Sequence, residues 1–99
     1  MTVIWNTEAE DEFIGSVKYY EMQDDELGER FVMDIQASVA RICTNPLMAR
    51  CFEEECRKVK AEKFPYLVIY YVEGERIHIA AVMHTSRHPD YWKSRLKDG

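Results

Sequence analysis

Two dense apolar runs joined by a short polar turn constrain the fold of this chain more than any other feature. The runs are FPYLVIYYV and RIHIAAVM, and Glu73, Gly74 and Glu75 lie between them. Both runs are rich in β-branched and aromatic residues, which favour strands. An acidic residue followed by glycine suits a tight turn in which the glycine takes a positive φ. The sequence therefore predicts an antiparallel hairpin of residues 66–72 and 77–83.

The second strand of this hairpin should alternate between two faces, as β-strands do. One predicted face carries Ile77, Ile79, Ala81 and Met83, and the opposite face carries Arg76, His78, Ala80, Val82 and His84. We expect one face to pack on helices and the other to stay half open. The polar residues 84–87, which close this strand, should then lie at the rim of the open face.

Upstream of the hairpin, the sequence predicts a short strand and two amphipathic helices. Residues 2–6 are β-branched and aromatic, and Thr7 with Glu10 forms a capping box that begins the first helix. The apolar stripes at helical spacing are Phe13, Val17 and Tyr20 in the first helix, and Leu27, Phe31, Ile35, Val39 and Ile42 in the second. The first helix should end near Gln23 and the second before Pro46.

Residues 56–63 predict a further strand with a charged face formed by Lys58, Lys60 and Glu62. A short helical or turn-like tail should follow Pro89, over residues 91–96. The predicted order is β-α-α-β-β-β with a short C-terminal helix, in one domain over residues 1–99. The fold class is therefore α+β, with a mainly antiparallel sheet of about four strands packed on the N-terminal two-helix hairpin.

Composition and charge narrow the class of protein. The chain is 46% hydrophobic and 31% charged, which is ordinary for a soluble globular domain. It begins with no signal-peptide pattern and has no apolar run of about 20 residues, so we expect a cytoplasmic protein without a membrane partner. Residues 1–55 carry a net charge of −9 and residues 56–99 a net charge of +4. The basic half suits a polyanion or an acidic partner protein, or its lysines and arginines simply solvate an exposed sheet face.

The three cysteines, Cys43, Cys51 and Cys56, lack CxxC spacing. In a chain without an export signal, reduced thiols are the default, so we expect buried structural cysteines and no disulfide framework. Their spacing to the histidines fits no standard zinc module, and we expect no metal and no cofactor.

The order of elements and four stretches of sequence resemble the ParE/RelE superfamily of type II toxin–antitoxin toxins. The stretches are EAEDEFIGSVKYYE, LGERFVMDI, FPYLVIYYVEGERIHIAAVMH and SRHPDYW, which together span nearly the whole chain. The resemblance implies a small intracellular toxin that a cognate ParD-like or RelB-like antitoxin neutralises in a hetero-oligomeric complex. It leaves two targets open, because RelE-like members cut messenger RNA on the ribosome and ParE-like members block DNA gyrase.

A RelE-like nuclease would need proton-transfer groups and cations around the phosphate. The candidates are Lys58, Lys60, His84, Arg87 and Tyr91. The paired strand lysines of RelE-like nucleases match Lys58 and Lys60, and their tail aromatic matches Tyr91. The position of a phosphate-binding arginine, however, falls on Leu67. Because an aliphatic side chain cannot stabilise that charge, and the YYE, LGERF and FPY patterns are closer to the ParE branch, a ParE-like gyrase inhibitor is favoured.

On this interpretation several residues become candidates for contact with the target or the antitoxin. They are Tyr19, Tyr20, Lys58, Lys60, Arg87, Tyr91, Trp92, Lys93 and Arg95. Two structural alternatives stay open. Most of the tyrosines and tryptophans could belong to an ordinary core, and His84 and His88 could merely cap a strand end and a turn. The chain could also be an inactive relative that serves only as an interaction module.

Overall fold

The computed structural model describes residues 1–98. Along the chain it contains β1 (Thr2–Trp5), α1 (Thr7–Gln23), α2 (Asp25–Thr44), β2 (Cys51–Glu53), β3 (Cys56–Lys60), β4 (Tyr66–Glu73), β5 (Arg76–His84) and a 3-10 helix (Lys93–Asp98). The five strands form one sheet in the order β1-β5-β4-β3-β2. β1 pairs parallel with β5, and the other neighbours are antiparallel. The predicted α+β fold is confirmed, with a fifth strand, β2, that the sequence did not predict.

Both helices begin at a polar cap, but one cap differs from the prediction. Asn6, and not Thr7, caps α1, because its Oδ1 accepts hydrogen bonds from the N–H groups of Glu8 at 2.8 Å and Ala9 at 3.3 Å. Thr7 already has helical geometry, so its hydroxyl lies one position too late to cap the first turn. The predicted capping box is therefore wrong. The predicted end of α1 at Gln23 is confirmed, and Asp24 caps α2 directly afterwards.

The helical hairpin packs closely because α2 has a glycine where α1 crosses it. A Cβ atom at Gly28 would lie 2.3 Å from Cγ of Glu21. Phe31 is fully buried below this crossing and contacts the rings of Phe13, Tyr20, Phe64 and Tyr66. These aromatic rings and the predicted stripe of α2 form the first apolar cluster, which lies between the helices and the sheet.

A buried carboxylate ties α2 to the loop between β3 and β4. Asp34 is 6% exposed and accepts hydrogen bonds from the backbone N–H groups of Glu62, Lys63 and Phe64 at 3.2, 3.0 and 2.9 Å. The buried N–H of Phe64 and the part-buried N–H groups of Glu62 and Lys63 are thereby satisfied. This contact fixes the entry of β4 beneath the helices.

A β-bulge in β5 changes which residues face the helices. Tyr70 pairs with Ile79 and Ile69 pairs with Ala81, so Ala80 is an extra residue without a partner in β4. Ile77, Ile79 and Val82 consequently lie in the first cluster, whereas Ala81 and Met83 lie on the opposite face. The prediction that Ile77, Ile79, Ala81 and Met83 share a face is wrong, because strict alternation fails at the bulge. The glycine turn before β5 is confirmed, with φ of 61° at Gly74.

The opposite face of the sheet is not half open, as predicted, but is covered by the chain itself. Residues 88–98, called the C-terminal segment below, place Trp92 on Cys56, Ile69, Ala80, Ala81 and Met83, with Tyr91 and Leu96 packed alongside. Trp92 is 1% exposed. This second apolar cluster was not predicted, because no helical or strand period marks residues 88–92.

β2 and β3 meet in a turn with an unusual backbone. Glu54 and Glu55 have φ of 51° and 62°, in the left-handed region that favours glycine. Glu53, just before the turn, pairs with Lys93 and so fastens the C-terminal segment to the sheet edge. Of the cysteines, only Cys56 is buried, and the expectation of burial is wrong for Cys43 and Cys51, which are exposed.

Candidate functional site

A cleft lies between the C-terminal half of α1 and the end of β5. It has a volume of about 480 Å³ and is called the α1–β5 cleft below. Its lining residues are Glu12, Gly15, Ser16, Tyr19, Tyr20, Gln23, Tyr66, Val82, His84 and Arg87. Three of the predicted contact residues, Tyr19, Tyr20 and Arg87, thus come together here. The bulge at Ala80 makes this possible, because it turns Val82 and His84 towards α1.

The aromatic wall of the cleft has one exposed member, Tyr19, one partly buried member, Tyr20, and one buried member, Tyr66. Tyr19 is 60% exposed, and its ring contacts that of Tyr20 edge-on at 5.1 Å. Tyr20 reaches into the first cluster, where burial, together with a hydrogen bond and charge interaction with Tyr66, raises its pKa to about 12. The hydroxyl of Tyr66 donates to Ser16 Oγ at 3.1 Å. The wall is therefore rigid on the inside and accessible at Tyr19.

Glu12 is the centre of a charged network at the inner end of the cleft. Its carboxylate accepts hydrogen bonds from Arg95 at 2.8 and 3.1 Å, from the backbone N–H of Val82 at 3.2 Å, and from the hydroxyl of Tyr91. Arg87 Nη1 lies 3.6 Å from the same carboxylate. Arg95 also approaches Glu8 at 3.2 Å and donates to the carbonyl of Ala80 at 3.0 Å. One carboxylate thus connects α1, β5 and the C-terminal segment.

This network fixes the protonation of Tyr91. Burial and the hydrogen bond to Glu12 raise the pKa of Tyr91 well above its ordinary value, although Arg95 and Arg87 act in the opposite direction. Tyr91 therefore stays protonated at neutral pH and donates to Glu12. The guanidinium of Arg87 stacks over its ring at 3.9 Å.

The two lysines predicted to bind phosphate lie on the other face of the sheet. Lys58 pairs with Ile69 and Lys60 with Leu67, and both of these partners belong to the second cluster. Lys58 Nζ lies 4.9 Å from the centre of the Phe52 ring, and Lys60 Nζ donates to the carbonyl of Ala61 at 3.2 Å. His84, by contrast, pairs with Tyr66 of the first cluster. The structure does not bring Lys58 and Lys60 together with His84 and Arg87.

The predicted contact residues of the tail are mostly internal. Trp92 is buried, the side chain of Arg95 is 7% exposed, and Lys93 is held by Glu53 and by Asp90 at 3.1 Å. The expectation that Trp92 and Arg95 lie on an open surface is wrong, since both hold the C-terminal segment against the sheet. A partner could touch them only after displacing that segment.

The histidines have local structural roles. Nδ1 of His84 accepts a hydrogen bond from the N–H of Ser86 at 3.0 Å, and Nδ1 of His88 accepts one from the N–H of Asp90 at 3.2 Å. Each histidine therefore caps the turn that follows it. Both of the side-chain contacts of His84 with Ser86 are made by Nδ1.

Sequence reasoning missed Glu12, Gly15 and Ser16 as site residues. A signal was present, because Glu12, Ser16, Tyr19 and Gln23 recur at i, i+4, i+7 and i+11, beside the apolar stripe of α1. This polar and aromatic row forms the α1 side of the cleft. Among the described residues, no three His, Cys, Asp or Glu side chains come together as metal ligands. None of the helices in that part of the chain has both the length and the apolar character needed to cross a membrane.

Comparison with known proteins agrees with this architecture. A family model described as the ParE toxin of the type II toxin–antitoxin system, parDE, matches residues 3–89. A solved structure described as the chromosomal ParDE TA system from P. aeruginosa superposes with a TM-score of 0.73 and 22% sequence identity, covering 85% of this chain and 95% of that one. No curated protein sequence matches the chain. Because the family model covers nearly all of the sequence, this chain belongs to the ParE toxin family of type II toxin–antitoxin systems.

Proposed function

We propose that this protein is a cytoplasmic growth inhibitor that acts on DNA gyrase, does not cleave RNA, and is neutralised by a cognate ParD-like antitoxin. The observation that carries the proposal is that Lys58 and Lys60 lie on the sheet face of the second cluster, whereas His84 lies on the face of the first. Membership of the ParE family favours gyrase over messenger RNA as the target.

Cleavage of RNA through the 2′-hydroxyl needs a base, an acid and cations around one phosphate. Here Leu67 occupies the position of a phosphate-binding arginine and packs beside the second cluster. Tyr91 is a protonated donor held by Glu12, so it is a poor base at neutral pH. Losing even one charge-stabilising donor typically costs about 10²–10³ in rate. Here the arginine is absent, and the candidate cations that remain do not surround a single phosphate position.

For the antitoxin, we propose the apolar groove that α1 and α2 form beside β1. It has a volume of about 440 Å³ and is lined by Trp5, Glu10, Phe13, Ile14, Ile35, Gln36 and Val39. Ile14 is 43% exposed at its edge, and the surrounding half of the chain, residues 1–55, has a net charge of −9. An amphipathic antitoxin helix with apolar anchors and basic flanks would fit such a groove. The result would be a hetero-oligomeric toxin–antitoxin complex.

The test begins with tightly controlled expression of the chain, alone and together with its adjacent antitoxin gene. We expect growth arrest that the antitoxin relieves. The purified toxin should then inhibit supercoiling by gyrase and leave messenger RNA intact on translating ribosomes. Cleavage of message, with loss of activity on Lys60→Ala, would instead establish the nuclease, and harmless expression would indicate an inactive interaction module.

The antitoxin groove has its own pair of variants. Ile14→Glu should weaken antitoxin binding at least about tenfold, because it places a charge on the apolar groove and adds to the acidic surroundings. Met33→Glu is the matched control, since Met33 is 67% exposed on α2 and does not line the groove. Titration by calorimetry would measure both affinities. Equal antitoxin affinity of Ile14→Glu and wild type would remove the groove from the proposal.

A further inference from the structure

Gly15 lies in the middle of α1 without a structural reason for being glycine. A glycine inside a helix destabilises it by roughly 1 kcal/mol relative to alanine. Gly28 is required, because a Cβ there would collide with Glu21, but a Cβ at Gly15 would have no atom within 4 Å. Gly15 borders the α1–β5 cleft. Its effect is to keep the backbone of α1 exposed at the cleft, where another chain could approach closely.

The rim of the same cleft carries a guanidinium with unused donors. Arg87 has a side chain that is 55% exposed and lies 3.6 Å from Glu12, but it makes no side-chain hydrogen bond with residues 1–96, whose side chains the structure describes. Stacking over Tyr91 at 3.9 Å holds the guanidinium in place. Glu12 is meanwhile occupied by two hydrogen bonds from Arg95. An oriented guanidinium with free N–H groups is suited to bind a carboxylate through two hydrogen bonds.

The opposite wall offers apolar contact. Tyr19 is 60% exposed beside Gly15, and Met22, one turn further along α1, is 89% exposed. An exposed tyrosine, a flexible methionine and an arginine are typical of the anchor residues in protein interfaces. Of these three, Tyr19 and Arg87 line the cleft itself.

We propose that the α1–β5 cleft receives a segment of the target protein that presents a carboxylate beside apolar side chains. The carboxylate would bind Arg87, while the apolar part would pack on Tyr19 over the glycine backbone. A nucleic acid is disfavoured because the chain has a net charge of −5, and Asp11 and Glu8 lie exposed on α1. The identification of that protein as gyrase rests on the proposed function above.

Substitutions at two positions test the cleft from opposite sides. Gly15→Leu places a branched side chain at the cleft on a Cβ that has no atom within 4 Å, and it should not lower the melting temperature, because leucine is a better helix former than glycine. Arg87→Gln removes the charge but keeps the length of the side chain, and Arg87→Lys keeps the charge without the paired donors. The matched control is Ala40→Leu, which also adds bulk to an exposed helix position, on α2 and outside the cleft.

Three measurements are made on the full chain: growth arrest in cells, half-inhibition of gyrase supercoiling, and affinity for the cognate antitoxin. We expect Gly15→Leu and Arg87→Gln to abolish growth arrest and raise the half-inhibitory concentration at least about tenfold. Arg87→Lys should lie in between, and Ala40→Leu should behave as wild type. Antitoxin affinity should change less than about threefold in all four variants, which would show that they are folded.

Other outcomes overturn the proposal. Full growth arrest by Gly15→Leu and Arg87→Gln would show that the cleft does not contact the target. Loss of antitoxin affinity with growth arrest intact would assign the cleft to the antitoxin instead, and binding of duplex DNA that Arg87→Gln abolishes would assign it to phosphate. If the wild type arrests growth without inhibiting gyrase, the proposed target is wrong, while growth arrest of the variants still decides the role of the cleft.

Discussion

The central strands β4 and β5 are buried on both faces of the sheet, but the two faces are covered in different ways. The first face lies beneath α1 and α2, whose backbones form their own hydrogen bonds and whose aromatic residues interlock around Phe31. The second face is covered by the C-terminal segment, and between His88 and Leu96 its backbone hydrogen bonds in the described chain stay local. Side chains hold the segment on the sheet. Trp92 packs in the second cluster, Arg95 and Tyr91 donate hydrogen bonds to Glu12, and Lys93 pairs with Glu53.

Because of this difference, the helices and the C-terminal segment should detach from the sheet at different free energies. Removing the helices requires the core to unfold, whereas the C-terminal segment can detach while the rest of the fold remains. Equal burial in a static structure therefore does not imply equal stability. The predictions below test this inequality.

The largest effect is expected on the first face. Phe31→Ala should lower the free energy of unfolding by about 4 kcal/mol, since it leaves a cavity among four aromatic rings. That is a large part of the roughly 5–15 kcal/mol that stabilises a domain of this size. Urea unfolding followed by circular dichroism would measure it. Met33→Ala, at an exposed position of the same helix, should change stability by less than about 0.5 kcal/mol.

The second face should respond less to a change of similar size. Trp92→Ala should cost about 2 kcal/mol, below the usual 3–5 for a buried tryptophan, because the loss cannot exceed the free energy of docking the segment. Cys56 reports the detachment directly, since it is buried under Trp92. In a Cys43→Ser, Cys51→Ser background, thiol labelling of Cys56 at neutral pH should become at least about tenfold faster in Trp92→Ala.

The inequality would be refuted if Trp92→Ala were as damaging as Phe31→Ala. The same conclusion would follow if Cys56 were labelled only at the rate of global unfolding. Glu12→Gln gives an independent check, because it weakens the Arg95 contact and should accelerate labelling without creating a cavity on the second face.

The edge of the second face contains strain that can be relieved. Glu54 and Glu55 adopt left-handed backbone conformations that cost a non-glycine residue roughly 1 kcal/mol. The double variant Glu54→Asn, Glu55→Gly should stabilise the protein by about 1 kcal/mol, because Asn-Gly is favoured in such turns. A melting temperature that is unchanged or lower would contradict this account. Glu53 is kept in the variant so that its pair with Lys93 is preserved.

The smallest predicted effect is a loss of stability that occurs only at alkaline pH. Burial, and then the charges of Cys51 and of Glu53 to Glu55, raise the pKa of Cys56 from 9.0 to about 11, and burial raises that of Tyr20 from 10.0 to about 12. When the pKa of a group is higher in the folded state, protonation of that group stabilises the fold. Its contribution to the free energy of unfolding is complete below its pKa in the unfolded state and is lost as the pH rises through its pKa in the folded state. Stability should therefore be constant up to about pH 9 and fall above it.

Cys56 and the tyrosines contribute in different pH windows. Cys56→Ala should remove the decline that begins near pH 9 and leave the decline above about pH 10, to which Tyr70, Tyr71 and Tyr91 also contribute through raised pKa values. Tyr20→Phe should reduce only the second window. Denaturant titrations at several pH values would measure both. A decline in Cys56→Ala that begins at the same pH as in wild type would remove Cys56 as its cause.

The sequence was a good guide wherever a periodic pattern was unbroken. The hairpin around Gly74 and the stripe of α2 from Leu27 to Ile42 were predicted because local preference and burial agree there. Three features were mispredicted where the pattern breaks or the contact is distant. The bulge at Ala80 interrupts alternation, Asn6 replaces Thr7 as the cap, and Trp92 is buried by residues far away in sequence.

The candidate site was predicted only in part. Tyr19, Tyr20 and Arg87 do line one cleft, but Lys58 and Lys60 lie on the other face, and Glu12 was not anticipated. A charged residue reveals its type in the sequence but not its partner. The pairing of Glu12 with Arg95 joins residues 83 positions apart, and no local rule specifies such a contact.

The sequence by itself determined the two amphipathic helices and the central hairpin, because these depend on local preference and on the period of apolar residues. Four stretches of the sequence also carried the resemblance to ParE toxins. Only the tertiary structure decided which polar groups face one another. The extra residue in β5, Ala80, orients His84 towards α1, and the carboxylate of Glu12 holds the C-terminal segment on the sheet. Both are long-range outcomes, because a side chain's electrostatic partners are set by how the chain folds back on itself and not by its neighbours in sequence.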